Sequence, residues 1–235
     1  MNKIKIDNNF SGKIINIDSD SIIYYDNCSV KLDIVINKEV RLIEFIDNSN
    51  ICNNYILNSS LCISRFSNNS SNCDKFNLNI CDISLDYFYS CINKDDNVCN
   101  VDVIHNKENT NSKIVSHGIN LDNNRLEFLI DGIVLKNSSN VTLSQDSKII
   151  NMGDNNSGIK PNLIIDNDEI DASHSAYIGD FDKNSIFYLM SRGISYSDSV
   201  KVLAKSFLLN DDRFEVLIKD KILNLINEYW RWLYE

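Results

Sequence analysis

The fold is decided by residues 160–195, KPNLIIDNDEIDASHSAYIGDFDKNSIFYLMSRGIS, because the residue pattern changes its period within them. Up to Ile178, apolar residues and polar residues follow one another as they do in a strand. Asp182 can cap the N-terminus of a helix over KNSIFYLMS, and Gly193 is suited to end that helix. The stretch therefore predicts a β-rich region that ends near residue 178 and a helical region that follows it.

The residues before this change predict many short strands. The chain has seven glycines and one proline, and its abundant asparagines can replace glycine in turns. Between Asn-rich clusters lie strand-like runs, among them RLIEFI (41–46), FNLNICDISLDYFY (76–89), RLEFLI (125–130) and GIVL (132–135). Such spacing is typical of a sandwich, a barrel or a β-solenoid. No fixed repeat of 20 to 30 residues is visible, so a solenoid would have to be irregular.

The residues after this change predict two further helices. Ser195 or Ser197 caps the second helix, and Asp211 or Asp212 begins the third. Apolar residues recur at helical spacing in both. On the second they are Val200, Leu203, Ala204, Phe207 and Leu208; on the third they are Phe214, Leu217, Ile218, Ile222, Leu225, Ile226, Tyr229 and Leu233. We therefore expect a β core over residues 1–178 and a helical domain over 179–235. Trp230 and Trp232 either pack on the β core or form an exposed docking patch.

Composition argues against several classes of protein. The net charge is -10 and no cluster of Lys and Arg stands out, so nucleic-acid binding is not expected. No signal peptide and no apolar run of membrane-spanning length is present, so we expect a cytoplasmic protein without a membrane partner. The seven cysteines should then be reduced thiols, and no C-x-x-C pair suggests zinc. We expect them to be small buried hydrophobic residues on strands.

The three histidines are the candidate residues for chemistry. Neighbours of His174 on a strand point to the opposite face and no G-x-S-x-G motif is present, which argues against a serine hydrolase. His105 and His117 would meet across adjacent strands in a metal site, or each would be an ordinary hydrogen-bonded strand residue. His174 shares a strand face with Ile170 and Ala172, so it either continues an interior face or emerges at the strand end beside the helical region. This spacing alone favours a core residue.

Residues 158–210 resemble the C-terminal core of the SufB/SufD family, the scaffold proteins of the SUF iron–sulfur cluster assembly machinery. The family pattern runs from K-P-x-L-x-I through C-S-H-G-A-x-[IV]-G to L-F-Y-L-x-S-R-G-I. Its counterparts here are Lys160, Pro161, Leu163, Ile165, Ser173, His174, Ala176, Ile178, Gly179, Phe187, Tyr188, Leu189, Ser191, Arg192, Gly193 and Ile194. A weaker likeness upstream includes His105, Thr110, Ser112 and Gly118.

The resemblance implies a right-handed parallel β-helix followed by a helical domain, and a scaffold rather than an enzyme. It implies pairing with a SufB-type subunit, with a homodimer as another option, and docking of a SufC-type ABC ATPase on the helices. Phe187, Tyr188, Arg192 and Gly193 would contribute to that docking. His174 matches the histidine that a SufD-type subunit contributes to cluster assembly, so it is the candidate ligand for iron or a transient iron–sulfur cluster at the interface, with no cofactor held stably.

Two departures from the pattern favour a SufD-type subunit. Ala172 replaces the frequent cysteine of the family and Ser175 replaces its glycine, and no cysteine follows Cys99. Any thiolate that works with His174 would therefore come from a partner. A β-solenoid carbohydrate-active enzyme and a generic β-rich interaction module are the alternatives to the scaffold.

Overall fold

The structure, a computed structural model, describes residues 1–121, 123–153, 156–209 and 213–234. Fifteen strands precede three helices in these ranges. The strands are β1 (Asn2–Ile6), β2 (Ile14–Ile17), β3 (Ser21–Asp26), β4 (Ser29–Ile36), β5 (Val40–Asp47), β6 (Asn50–Leu57), β7 (Leu61–Asn68), β8 (Ser71–Leu78), β9 (Ser84–Asn93), β10 (Asn97–His105), β11 (Asn111–Leu121), β12 (Arg125–Val134), β13 (Val141–Met152), β14 (Asn156–Ile165) and β15 (Ile170–Gly179). The helices are α1 (Lys183–Ser191), α2 (Tyr196–Leu208) and α3 (Val216–Tyr234).

The strands form two parallel sheets, and the chain alternates between them. The odd-numbered strands form sheet A in the order β1 to β15, and the even-numbered strands form sheet B in the order β2 to β14. Every pairing is parallel, and the inward side chains of both sheets form one apolar core. Because the chain crosses from sheet to sheet and advances by one strand in each, the architecture is a parallel β-helix. The predicted mainly β fold with a C-terminal helical unit is confirmed.

The turns of the β-helix are regular at first and lengthen later. Equivalent residues lie 21 positions apart in the early turns, as Ser49 and Ser70 do. The spacing is 27 between Asn93 and Asn120, and 31 between Asn109 and Asn140. This lengthening hides the repeat in the sequence. The turn role of asparagine is confirmed, since five asparagines of the described ranges have a positive φ, namely Asn27, Asn48, Asn69, Asn109 and Asn140.

Three of the predicted strand-like runs are divided differently in the structure. The run 76–89 is not one strand, because β8 ends at Leu78 and β9 begins at Ser84 on the other sheet. The runs 125–130 and 132–135 lie largely in the single strand β12, which includes Gly132. A Cβ at Gly132 would lie 2.4 Å from the Leu143 side chain, so the glycine serves close packing and does not break the strand.

The helices cover the outer face of sheet A. Buried residues of α2 and α3 pack on outward side chains of that sheet in a second apolar cluster, which includes Phe66, Phe88 and Ile119. Trp230 lies in this cluster, so packing on the β core is confirmed for it. Trp232 is 59% exposed, and a docking role for it stays a prediction. The predicted caps Asp182 and Ser195 are confirmed.

The start predicted for the third helix, Asp211 or Asp212, lies outside the described residues. In the part of the chain that the structure describes, no helix is long and apolar enough to span a membrane.

The cysteines only partly follow the prediction that they are buried. Cys28, Cys91 and Cys99 are buried, whereas Cys52, Cys62 and Cys81 are half-buried and Cys73 is exposed. The prediction is therefore wrong for Cys73, because the alternation of β8 turns this side chain away from the core.

Candidate functional site

The strand that carries His174, β15, is the last strand of sheet A and one of its two edges. It pairs with β13 on one side only. Its residues from Ser173 to Ile178 are exposed, including Tyr177 at 48% and Ile178 at 42%. Neighbouring β14 is the edge of sheet B and exposes Ile164 and Ile165. The β-helix therefore ends in two ten-residue strands with exposed apolar side chains.

His174 lies at the middle of this edge strand. It is the register partner of Gln145, a buried residue of β13 whose amide nitrogen donates to the carbonyl of Asn162. Ala172, on the same strand face as His174, packs against the core. His174 is exposed, because no further turn covers it, so the core position that spacing favours is wrong. Among the described residues its imidazole has no hydrogen-bond partner.

The opposite end of the β-helix is protected against pairing, and β15 is not. Edge strands in soluble proteins are commonly short or carry lysine or proline. At the first end, β1 and β2 have five and four residues, and Lys5 of β1 forms an ion pair with Asp26. At the last end, β14 contains Lys160 and Pro161, and proline is tolerated at an edge because it lacks an N–H. β15 is ten residues long and has neither lysine nor proline.

Helix α1 holds the residues expected to dock an ATPase. None of its residues is buried, and Phe187, Tyr188 and Met190 are exposed at 73%, 57% and 44%. The Arg192 guanidinium lies 5.2 Å from the centre of the Tyr188 ring, a cation–π contact on the surface. Gly193 has a φ of +85°, the left-handed conformation that ends a helix with little strain in glycine. All four predicted residues are exposed, Phe187 and Tyr188 on α1 and Arg192 and Gly193 directly after it.

A cavity of about 630 Å³ separates α1 from the end of α3. It is largely apolar and is lined by Phe181, Ile186, Phe187, Met190, Tyr196, Val200 and Leu233, among others. The carboxylate of Asp182 accepts hydrogen bonds from the backbone N–H groups of Asn184 and Ser185, which fixes the start of α1 beside this cavity. Helix α1 is therefore held in place by its cap and by α2, with apolar surface left uncovered.

His105 is buried within the β-helix. Its Nδ1 and Nε2 lie 2.7 Å and 2.9 Å from the hydroxyls of Thr110 and Ser112. The Thr110 hydroxyl donates to the carbonyl of Lys107, so it accepts from Nδ1–H, and Nε2 accepts from Ser112. Both ring nitrogens are thus satisfied in the neutral form. Burial lowers the pKa of His105 to about 4.

His117 lies in a different part of the molecule. It is on the outer face of sheet A, where its ring stacks on Phe207 at 4.4 Å and its Nδ1 donates to the Phe207 carbonyl. Burial lowers the pKa of this imidazole. The metal site predicted as one option for His105 and His117 is wrong, because one side chain points into the β-helix and the other points out to α2. Among the described residues no three metal-ligating side chains converge.

A buried ionic cluster inside the β-helix was missed from the sequence. Arg65 is fully buried and forms ion pairs with the carboxylates of Glu44 and Asp74. Its guanidinium also donates to the hydroxyls of Tyr55 and Tyr87. Burial raises the pKa of Asp74 despite the neighbouring arginine. The spacing of 21 residues between Glu44 and Arg65 was the available signal, because it is the length of one turn.

Two comparisons match this chain to proteins of iron–sulfur cluster assembly. The SufBD core domain of the SUF iron–sulfur cluster assembly system matches residues 46–207. Iron-sulfur cluster assembly protein SufD of Bacillus subtilis (strain 168) is 29% identical over 107 residues, which make up 45% of this chain and 24% of that protein. The chain thus covers about a quarter of this relative. Since the matched domain spans most of the two sheets and reaches into α2, the chain belongs to the SufBD core family of the SUF iron–sulfur cluster assembly system.

Proposed function

We propose that this protein is a SufD-type scaffold subunit, which pairs with a SufB-type subunit through β15 and docks a SufC-type ABC ATPase through α1. The observation that carries the proposal is the unprotected edge strand β15, with exposed apolar residues and His174 at its centre. A ten-residue edge with exposed N–H and C=O groups is a template for strand pairing.

Pairing through β15 would bury Tyr177 and Ile178 and satisfy the free backbone groups of the edge. A partner that added a strand there would extend sheet A across the subunit boundary, as in other cases of strand addition. His174 would then lie at the boundary between the subunits. A second copy of this chain offers the same edge, so a homodimer is the competing outcome of the test.

His174 would act on the cargo of the system together with partner groups. A neutral imidazole is a good ligand for iron. Because no three metal-ligating side chains converge among the described residues, further ligands for iron or a nascent cluster would have to come from the SufB-type subunit. The iron or cluster is in this proposal a substrate of the assembly reaction, bound only transiently.

Docking of the ATPase on α1 would account for its exposed apolar residues. A nine-residue helix is marginal in water without packing, and none of the α1 residues is buried. Phe187 and Tyr188 are large aromatic residues of the kind that anchors protein interfaces. Arg192, which lies over the Tyr188 ring, would hold that ring in place and add charge at the rim.

Co-expression with a SufB-type subunit and a SufC-type ATPase tests the pairing. We expect a complex of all three that withstands size-exclusion chromatography. Ile178→Lys should remove the SufB-type subunit and retain the ATPase, because the lysine blocks the apolar edge. Ile14→Lys, at the first end of the β-helix, is the matched control and should change neither. A wild-type chain that co-purifies with neither protein would refute the proposal.

The docking surface and His174 are tested separately in the same complex. Phe187→Ala combined with Tyr188→Ala should remove the ATPase while the SufB-type subunit stays bound, whereas Trp232→Ala should leave both bound. His174→Ala should assemble normally and fail to mature clusters on a reporter apoprotein. Normal cluster maturation by His174→Ala would limit this residue to an interface role.

A further inference from the structure

The outer face of sheet B carries a pair of adjacent thiols. The helices pack on sheet A, so this face is turned to solvent. Cys52 of β6 and Cys73 of β8 are register partners on neighbouring parallel strands. Both side chains point outward, because the residues before and after each of them are buried. Cys73 is exposed and Cys52 is half-buried.

The Cys73 thiol is protonated in the free protein. Burial and the neighbouring Cys52 thiol raise the pKa of Cys73 to about 11. Since the thiolate is the reactive form of cysteine, the Cys73 thiol is not activated as a nucleophile at neutral pH. An ion that binds here must therefore displace thiol protons, which only an ion with high affinity for sulfur does.

The spacing of the strands fits a bridging ion better than a disulfide. A disulfide requires Cβ atoms about 3.8 Å apart. Register partners on parallel strands keep their side chains roughly one strand spacing apart, about 4.8 Å. A disulfide would have to pull the central strands of sheet B together, whereas an ion between the two sulfur atoms would not.

The number of side chains available as ligands decides which metal ion fits this pair of cysteines. Zinc takes four ligands and iron–sulfur clusters are held by four thiolates. No third histidine, cysteine, aspartate or glutamate joins the pair to form a larger ligand group among the described residues. Monovalent copper is a soft ion that favours thiolate sulfur and accepts two-coordinate binding.

We propose that Cys52 and Cys73 form a bis-thiolate site for monovalent copper on the outer face of sheet B. Two neutral thiols and one Cu⁺ ion give a unit with a net charge of minus one, and two protons pass to the solvent. No electron is transferred. Lys31 of β4, the register partner of Cys52 on its other side, offsets this negative charge. The site lies on the other sheet from His174 and does not depend on the proposed function.

Anaerobic competition between the full chain and a chromophoric Cu(I) chelator tests the proposal. We expect the wild-type protein to withhold one copper per chain from the chelator, and Cys52→Ser and Cys73→Ser to withhold none. Cys62→Ser, a half-buried cysteine of sheet A, is the matched control and should behave as the wild type. Equal loss in all three variants, or no copper withheld by the wild type, would overturn the proposal.

Alkylation of the unmodified protein gives a second measurement that requires no variant. Copper should protect Cys52 and Cys73 from iodoacetamide, as read by mass spectrometry of the peptides, and leave the reaction at Cys62 unchanged. Rapid oxidation of the pair to a disulfide by glutathione disulfide, together with no protection by copper, would assign the pair to thiol–disulfide exchange and refute the copper site.

Discussion

The buried ionic cluster allows a quantitative test of how the β-helix is stabilised. Arg65→Met removes the only cation that contacts the buried carboxylates of Glu44 and Asp74 among the described residues. Methionine keeps an unbranched apolar stem at this position but lacks the guanidinium group. The change therefore removes the charge and its hydrogen bonds while much of the packing of the stem is kept.

The structure gives the expected size of this effect. Without Arg65, Glu44 keeps hydrogen bonds from the hydroxyls of Tyr25 and Tyr55, and Asp74 keeps one from Asn72. Neither carboxylate keeps a cation. Breaking a buried ion pair by removing one partner costs about 3–5 kcal/mol. A domain is stable by roughly 5–15 kcal/mol, so the free energy of unfolding should fall by about a fifth or more.

Urea unfolding followed by circular dichroism measures the loss. Arg65→Met should move the midpoint strongly to lower urea, whereas Arg125→Met, which breaks the exposed pair with Glu127, should leave it unchanged. Adding Glu44→Gln and Asp74→Asn to Arg65→Met should recover roughly 2 kcal/mol or more, since no charge then stays buried. If Arg65→Met were as stable as the wild type, or if the triple variant were less stable than Arg65→Met, the reasoning would be refuted.

Two further predictions concern other buried groups. Burial lowers the pKa of His105 to about 4 from 6.5, so the unfolded state binds more protons between these values. The free energy of unfolding should therefore fall by about 3 kcal/mol as the pH drops from 6.5 to about 4. His105→Gln should reduce this fall, as measured by urea unfolding at a series of pH values. The same pH dependence in wild type and variant would contradict the lowered pKa of His105. Trp230→Ala should cost about 3–5 kcal/mol in thermal or urea unfolding, because the indole is buried between α3 and the rest of the molecule and donates to the Ser197 carbonyl. Trp232→Ala, the exposed neighbour, is its control, and equal losses would show that the helix packs differently.

Local features were predictable from the sequence because their causes are local. Asp182, Gly193 and Ser195 act on backbone groups within a few residues of themselves, so composition and spacing were enough to place two helix boundaries. The strand-to-helix change was likewise visible in the period of the apolar residues. The family motif then supplied the parallel β-helix, which the strand pattern alone could not choose over a sandwich or barrel.

The features that the sequence did not predict depend on which turns of the β-helix are neighbours. His174 was expected on a core face by alternation, and it is exposed because β15 has no following strand. Arg65 meets Glu44, and Cys52 meets Cys73, only because their separation equals the length of a turn. Charged residues are rarely buried without a partner, and the partner here is remote in sequence.

The one-sided pairing of β15 has a consequence for how the proposed complex would form. Each turn of a solenoid is stabilised mainly by its two nearest neighbours, so the stability of a linear stack is a sum of nearest-neighbour terms. The last turn, like the first, has one neighbour, so the two ends of the stack fray before its middle. A partner strand laid on β15 would supply the missing term, which makes the ordering of the His174 strand and the recognition of the partner a single thermodynamic event.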